Sequence, residues 1–94
     1  AEQFGFTFVS IGKHERPVPG CYKIALVIAP NSDYHWYRQN SDGTWSHKPG
    51  QSAVRRFDYK IHTIYDPELC DRRTPLITYS MFVGYYSVNV EEMI

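Results

Sequence analysis

Residues 34–48 constrain this chain more than any other stretch. Two short extended segments, residues 34–39 and 44–48, flank the tetrapeptide Asn40-Ser41-Asp42-Gly43. That tetrapeptide suits a type I turn followed by a left-handed glycine, so the two segments read as a hairpin. In that register Tyr37 stands opposite His47. Residues two apart on a strand share a face, so His35, Tyr37 and His47 fall together. A fold that holds this hairpin is built on antiparallel strands.

The rest of the chain reads in the same idiom. Phe4, Phe6 and Phe8 alternate with smaller or polar residues, the pattern of a short strand with one apolar face. Residues 10–20 carry glycine, two prolines and charges, which predicts a loop. Residues 21–29 form a nearly continuous apolar run of strand length, the pattern of a central strand. Residues 30–33 and 49–52 are rich in turn formers. Phe57, Tyr59 and Ile61 alternate with Asp58, Lys60 and His62, which predicts another half-buried strand. Asp66, Pro67 and Glu68 supply an N-cap, a first-position proline and an early acid, which predict one helical turn ending before Pro75. Residues 76–90 are rich in Tyr, Phe and Val and read as a long strand bulged at Gly84. The expected fold is α+β and mostly β. It is a single domain over residues 1–94, with five to six mainly antiparallel strands curling toward a half-barrel and little helix.

Size and charge bound the function. A chain of 94 residues buries a thin core. Its 8 Tyr, 5 Phe and 2 Trp compensate, because aromatic side chains bury much area and suit strands. Lys plus Arg equals Asp plus Glu, 10 each, so no cationic excess draws the chain to nucleic acid. Arg55-Arg56 and Arg72-Arg73 read as a solvated rim. No apolar run reaches membrane-spanning length. Cys21 and Cys70 allow at most one disulfide, and no tight His/Cys pair marks a metal site. No cofactor is expected. The compartment is open, with a secreted or cell-envelope setting among the choices.

The chemistry-bearing residues sit in the hairpin. Two imidazoles on adjacent strands can act as base and orienter, the second fixing the tautomer of the first. Trp36 and Trp45 offer flat faces for a carbohydrate or peptide, although filling the core of a thin sheet is the preferred explanation. Tyr79, Tyr85 and Tyr86 fit an interface or ordinary strand composition. His14 and His62 read as solvated.

Pro19-Gly20 before an apolar strand, then His35 and His47 across a glycine-containing hairpin, then Pro49-Gly50, resembles the sheet half of NlpC-type cysteine peptidases of the papain-like superfamily. The resemblance spans residues 19–54. It implies His35 as general base and His47 as its orienter, with Tyr34 or Tyr37 lining a cleft and a peptide or amide as substrate. It also implies a nucleophilic cysteine at a helix N-terminus. No cysteine of that kind precedes the sheet. Cys21 takes the place of the usual Asp at the strand entry, and Cys70 is the candidate thiol in a permuted order. The chain is therefore expected to be inactive alone. It would be either the histidine-bearing sheet of a larger thiol hydrolase or acyltransferase, with the cysteine helix on a removed or separate N-terminal segment, or a non-catalytic descendant. Without the helix layer one sheet face would be bare, which implies a homo-oligomer or a partner segment to cover it. The alternative is a small non-catalytic β-sheet binding module.

Overall fold

The computed structural model describes residues 7–48, 53–74 and 77–89. Its five strands are β1 (Phe8–Ile11), β2 (Tyr22–Ala29), β3 (Asp33–Gln39), β4 (Trp45–His47) and β5 (Met81–Val88). They form one sheet in the order β1-β5-β2-β3-β4, and every neighbouring pair is antiparallel. β2 lies at the centre because it is the most apolar run. Its alternate residues Ala25, Val27 and Ala29 are all buried.

The hairpin forms in the expected register. Tyr37 pairs with His47, Arg38 with Ser46 and Gln39 with Trp45. Gly43 takes a φ of +88°, and its N–H donates to the Asn40 carbonyl at 3.0 Å. Asp42 clamps the turn by accepting from the Thr44 N–H at 3.0 Å and the Thr44 hydroxyl at 2.6 Å. The bulge also appears. The β2–β5 register shifts between Leu26 and Val27, so that Leu26 faces Gly84 while Val27 faces Phe82.

One face of the sheet carries the core. Ala25, Val27, Ala29, Tyr37, Trp45 and Tyr85 point into it and meet Ile64 and Tyr79 from the segment that crosses above. That segment is stitched to the outer side of β4. The Trp45 N–H donates to the Ile64 carbonyl at 2.9 Å. His47 and Arg55 exchange both backbone bonds, at 2.9 and 2.7 Å. On the other side of the fold, the buried Lys23 ammonium donates to the carbonyls of Lys13 and Glu15 and lies 4.9 Å from the centre of the Tyr85 ring. It ties the loop after β1 to the sheet, and burial pulls its pKa down.

Two expectations need correction. The α+β description does not hold: no helix occurs among the described residues, and the fold is mostly β. Residues 66–71 make the expected single turn and nothing longer. Asp66 accepts from the Glu68 N–H through its carboxylate, and from the Leu69 and Cys70 N–H groups through its carbonyl. Residues 57–62 do not form a strand, despite their alternation. The Asp58 carboxylate gathers the N–H groups of Lys60, His62 and Asp71 at 2.9, 2.9 and 3.2 Å, and the chain wraps around it. Phe4, Phe6, the turn at residues 49–52 and the two ends of the long strand expected at residues 76–90 lie outside the described residues or outside β5.

That wrap places Ile61 at a φ of +64° with its side chain 72% exposed. A β-branched residue is strained there, and this one gains no burial in return. Ile61→Gly is expected to raise stability by about 1 kcal/mol. Urea unfolding at neutral pH measures it, and a loss of stability would show that the conformation is set by contacts of the side chain.

Candidate functional site

The site grows from the hairpin register. Because β3 and β4 pair as expected, alternate residues of β3 and both ends of β4 point to the covered face. The His35 and His47 rings lie there with Nε2 of His35 2.7 Å from Nδ1 of His47. Nε2 of His47 lies 2.9 Å from the Phe57 carbonyl. A carbonyl only accepts, so His47 carries its proton on Nε2 and leaves Nδ1 as an acceptor. His35 must then donate from Nε2, and its own Nδ1 keeps the lone pair. The file Phe57 carbonyl–His47–His35 thus has one hydrogen-bonding sense. The expected roles of base for His35 and orienter for His47 would use this same sense, with Nδ1 of His35 as the accepting atom.

Aromatic rings wall the pair. Tyr37 stacks on His47 at 4.9 Å between ring centres and meets His35 edge-on at 5.2 Å. Tyr79 lies 5.4 Å from His35, and its hydroxyl donates to the Asp33 carboxylate at 3.1 Å. Tyr59 closes over His47 at 5.4 Å. Burial lowers both imidazole pKa values. His35 is brought down to about 4, chiefly by desolvation and secondarily by His47, with Asp33 pulling the other way. His47 is lowered for the same first reason, against the Phe57 hydrogen bond. Both rings are therefore neutral at pH 7. A base with so low a pKa has little proton-accepting drive there.

The thiols stand elsewhere. Cys21 and Cys70 are both free. Cys70 Sγ lies 3.9 Å from the Tyr37 hydroxyl and 3.5 Å from the Pro67 carbonyl. Burial pushes its pKa up to about 11, the reverse of an activated thiolate. Among the described residues neither thiol hydrogen-bonds a histidine. Nor do any three His, Cys, Asp or Glu residues there stand together in a way that could hold a metal ion.

The four aromatic candidates divide between the two faces. Tyr37 and Trp45 are buried in the core, and an edge of Trp45 lines a shallow pocket of about 200 Å³ beside Lys13, Tyr65 and Tyr85. Tyr34 and Trp36, one residue out of phase with His35, lie on the opposite face of the sheet. There Trp36 meets Phe8 at 6.1 Å, Tyr86 at 6.2 Å and Tyr34 at 6.4 Å, with interplanar angles of 85°, 75° and 71°. Rings packed edge to face fill space against one another, whereas a sugar platform presents coplanar faces. The sequence reading missed this second cluster. Its signal was the same alternation, Tyr34 with Trp36 on one strand and Tyr86 on another.

No family model matches the chain, and no solved structure matches it. A relative among characterised proteins does. Insoluble matrix shell protein 1 of Ruditapes philippinarum is 45% identical over 66 residues, which span 70% of this chain and 42% of that protein. The chain is similar to a shell matrix protein. It spans less than half the length of that relative. This similarity overturns the description of the chain as a cysteine peptidase or other hydrolase, because the relative is by name a matrix constituent. The thiol geometry agrees with the correction.

Proposed function

We propose that the chain is a non-catalytic β-sheet interaction module of a matrix protein, retained in an insoluble matrix through its exposed sheet surface. The observation that carries this reading is the 45% identity to Insoluble matrix shell protein 1. Three features of the molecule support it. The histidine pair is neutral, walled by aromatic rings and joined to no thiol, so it works as a pin between the sheet and the overlying segment. The second face carries an aromatic cluster with Tyr34 62% exposed. The formal net charge is zero, which removes the self-repulsion that keeps proteins dispersed. The curl toward a half-barrel belongs to the same reading: the bridges Trp45–Ile64 and His47–Arg55 continue the ladder past β4 and begin to fold it over the core.

The test is retention. The purified, fluorescently labelled chain is mixed with the washed insoluble residue of demineralised bivalve shell. Several-fold greater retention than for a neutral globular protein of equal size is expected, and Tyr34→Lys is expected to weaken it. Equal retention of the chain and the control would overturn the proposal.

A further inference from the structure

We infer that the concavity between the Asp58 wrap and the chain leading into β5 binds a tetrahedral oxyanion, a phosphate or sulfate carried as a monoester. The site uses neither the aromatic face nor the histidine pair, so it stands apart from the matrix reading.

The concavity holds about 460 Å³, and Lys60, Arg72, Arg73, Thr78 and Ser80 line it together with Asp58 and Asp71. The half-buried Arg72 is its fixed point. Its Nε donates to the Tyr79 carbonyl at 2.8 Å. Its Nη1 donates to the Pro67 carbonyl at 2.8 Å and also to the Glu68 carbonyl. The Tyr79 N–H returns a bond to the Arg72 carbonyl at 3.1 Å. A guanidinium gripped at two of its three nitrogens has given up its rotamer freedom before any ligand arrives, which lowers the cost of binding. All three of its acceptors are neutral carbonyls, and it forms no ion pair with a carboxylate among the described residues. Nη2 has no hydrogen-bond partner among those residues and reaches solvent, so its two N–H groups are unspent.

Two more cations stand on the rim. The Lys60 ammonium is exposed and pairs with no carboxylate among the described residues. The Arg73 side chain is exposed too, with Nε 3.8 Å from the Asp71 carboxylate. The two carboxylates of the lining are already engaged. Asp58 accepts the N–H groups of Lys60, His62 and Asp71. Asp71 accepts the Arg73 N–H at 3.0 Å. Lysine and arginine thus outnumber aspartate around this concavity, in a chain whose formal net charge is zero. A concave wall with an excess of one sign concentrates ions of the other.

The unspent donors select the shape of the ligand. A planar carboxylate is held best by two parallel N–H bonds from one guanidinium fork. Nε and Nη1 of Arg72 are already spent, so its fork is gone and a single nitrogen remains. Further single donors come from Lys60, Arg73 and the hydroxyls of Thr78 and Ser80, neither of which is bonded among the described residues. An oxyanion with three terminal oxygens accepts such single bonds from several sides at once. The volume exceeds that of a bare ion and falls within the range of small-molecule sites, which leaves room for the group that carries the ester.

Titration of the isotope-labelled whole chain with O-phosphoserine, glucose 6-sulfate, inorganic phosphate and acetate, at matched ionic strength, tests the site through its amide chemical shifts. Saturation with a dissociation constant of about 0.1–1 mM is expected for the better ester, with inorganic phosphate several-fold weaker. The shifts should be confined to residues 58–62, 69–73 and 78–80. The tighter of the two esters names the source of the oxyanion. Lys60→Gln and Arg73→Gln are each expected to weaken binding about three- to fivefold, and their circular dichroism should not change because both side chains are exposed. Arg56→Gln removes a charge at the hairpin turn, where Arg56 bonds Asp42, and is expected to leave binding intact. Acetate bound as tightly as the esters would overturn the inference. So would shifts scattered over the whole surface, an equal loss with Arg56→Gln, or no saturation below about 10 mM. Inorganic phosphate bound as tightly as both esters would overturn the monoester and show that the rest of the concavity takes no part.

Discussion

Replacing His47 by alanine is expected to lower the unfolding free energy by about 3 kcal/mol, the largest effect of any single substitution in the hairpin. The imidazole is 1% exposed and serves three neighbours at once. Its loss leaves the Phe57 carbonyl without its donor and the His35 N–H without its acceptor. It also opens a hole beneath the stacked Tyr37 ring. Each buried polar group left unpaired costs about 1–3 kcal/mol, and the cavity adds to that. In a domain of this size the melting temperature should fall by about 10–20 °C. Thermal unfolding followed by near-ultraviolet circular dichroism reads the change through the surrounding tyrosines. A loss below about 1 kcal/mol would mean that water or rearranged groups satisfy the pair, and that the histidines do not pin the overlying segment.

The substitution also separates two roles for the pair. A pin fails by unfolding, so its loss should increase proteolysis and hydrogen exchange in residues 53–64. A catalytic pair would leave the fold nearly intact when removed. The hydrogen-bonded geometry alone does not distinguish these cases, because a fixed-tautomer file serves either. The burial of both rings and the position of Cys70 are what support the pin in the proposed reading.

How far the sequence reached can be seen in two neighbouring stretches. The hairpin was legible because its information is local. Asn40 to Gly43 sets the turn, the turn sets the register, and the register brings His35, Tyr37 and His47 to one face. The same period-two rule puts Trp36 on the face away from His35, a step the sequence reading did not take, and no local rule says which face the chain covers. That depends on the crossing segment, whose contacts through Ile64 and Tyr79 are long-range. Residues 57–62 show the limit from the other side. Their alternation was strand-like, yet Asp58 accepts three backbone N–H groups and bends the chain around its carboxylate. An aspartate competing with the ladder for backbone donors is a known alternative to a strand. Here its third donor, Asp71, lies 13 residues away, beyond any local pattern. The peptidase resemblance had the same weakness. Two histidines at hairpin spacing describe a local geometry, and the thiol that would give them a reaction is a long-range matter.

Acid should destabilise this protein in a window set by the histidine pair. The folded state holds His35 neutral down to about pH 4, whereas the unfolded chain protonates it near its ordinary value of 6.5. As pH falls below about 6.5, the unfolded state therefore binds protons that the folded state refuses, and stability drops until the folded pKa is reached. A displacement from 6.5 to about 4 corresponds to about 3 kcal/mol for this one group. His47, also lowered by burial, acts in the same direction. The carboxylates titrate in a lower window. Asp42, held near 2 by its Thr44 hydrogen bonds and then by Arg56, and Asp58 and Asp66, held below the ordinary value, give up their contributions only as pH falls toward and below about 4. Urea unfolding at pH 7, 6, 5 and 4.5 should thus show a steady decline before Asp42, Asp58 and Asp66 give up most of their contributions. His35→Phe should flatten that decline while leaving the loss below pH 4 in place, because phenylalanine fills the site without a titrating nitrogen. The remaining slope in that variant then measures His47 alone. A stability that stays level from pH 6.5 to 4.5 in the unmodified chain would show that both rings reach solvent and titrate freely. The buried file from Phe57 to His35 could not then be what holds the crossing segment to the sheet.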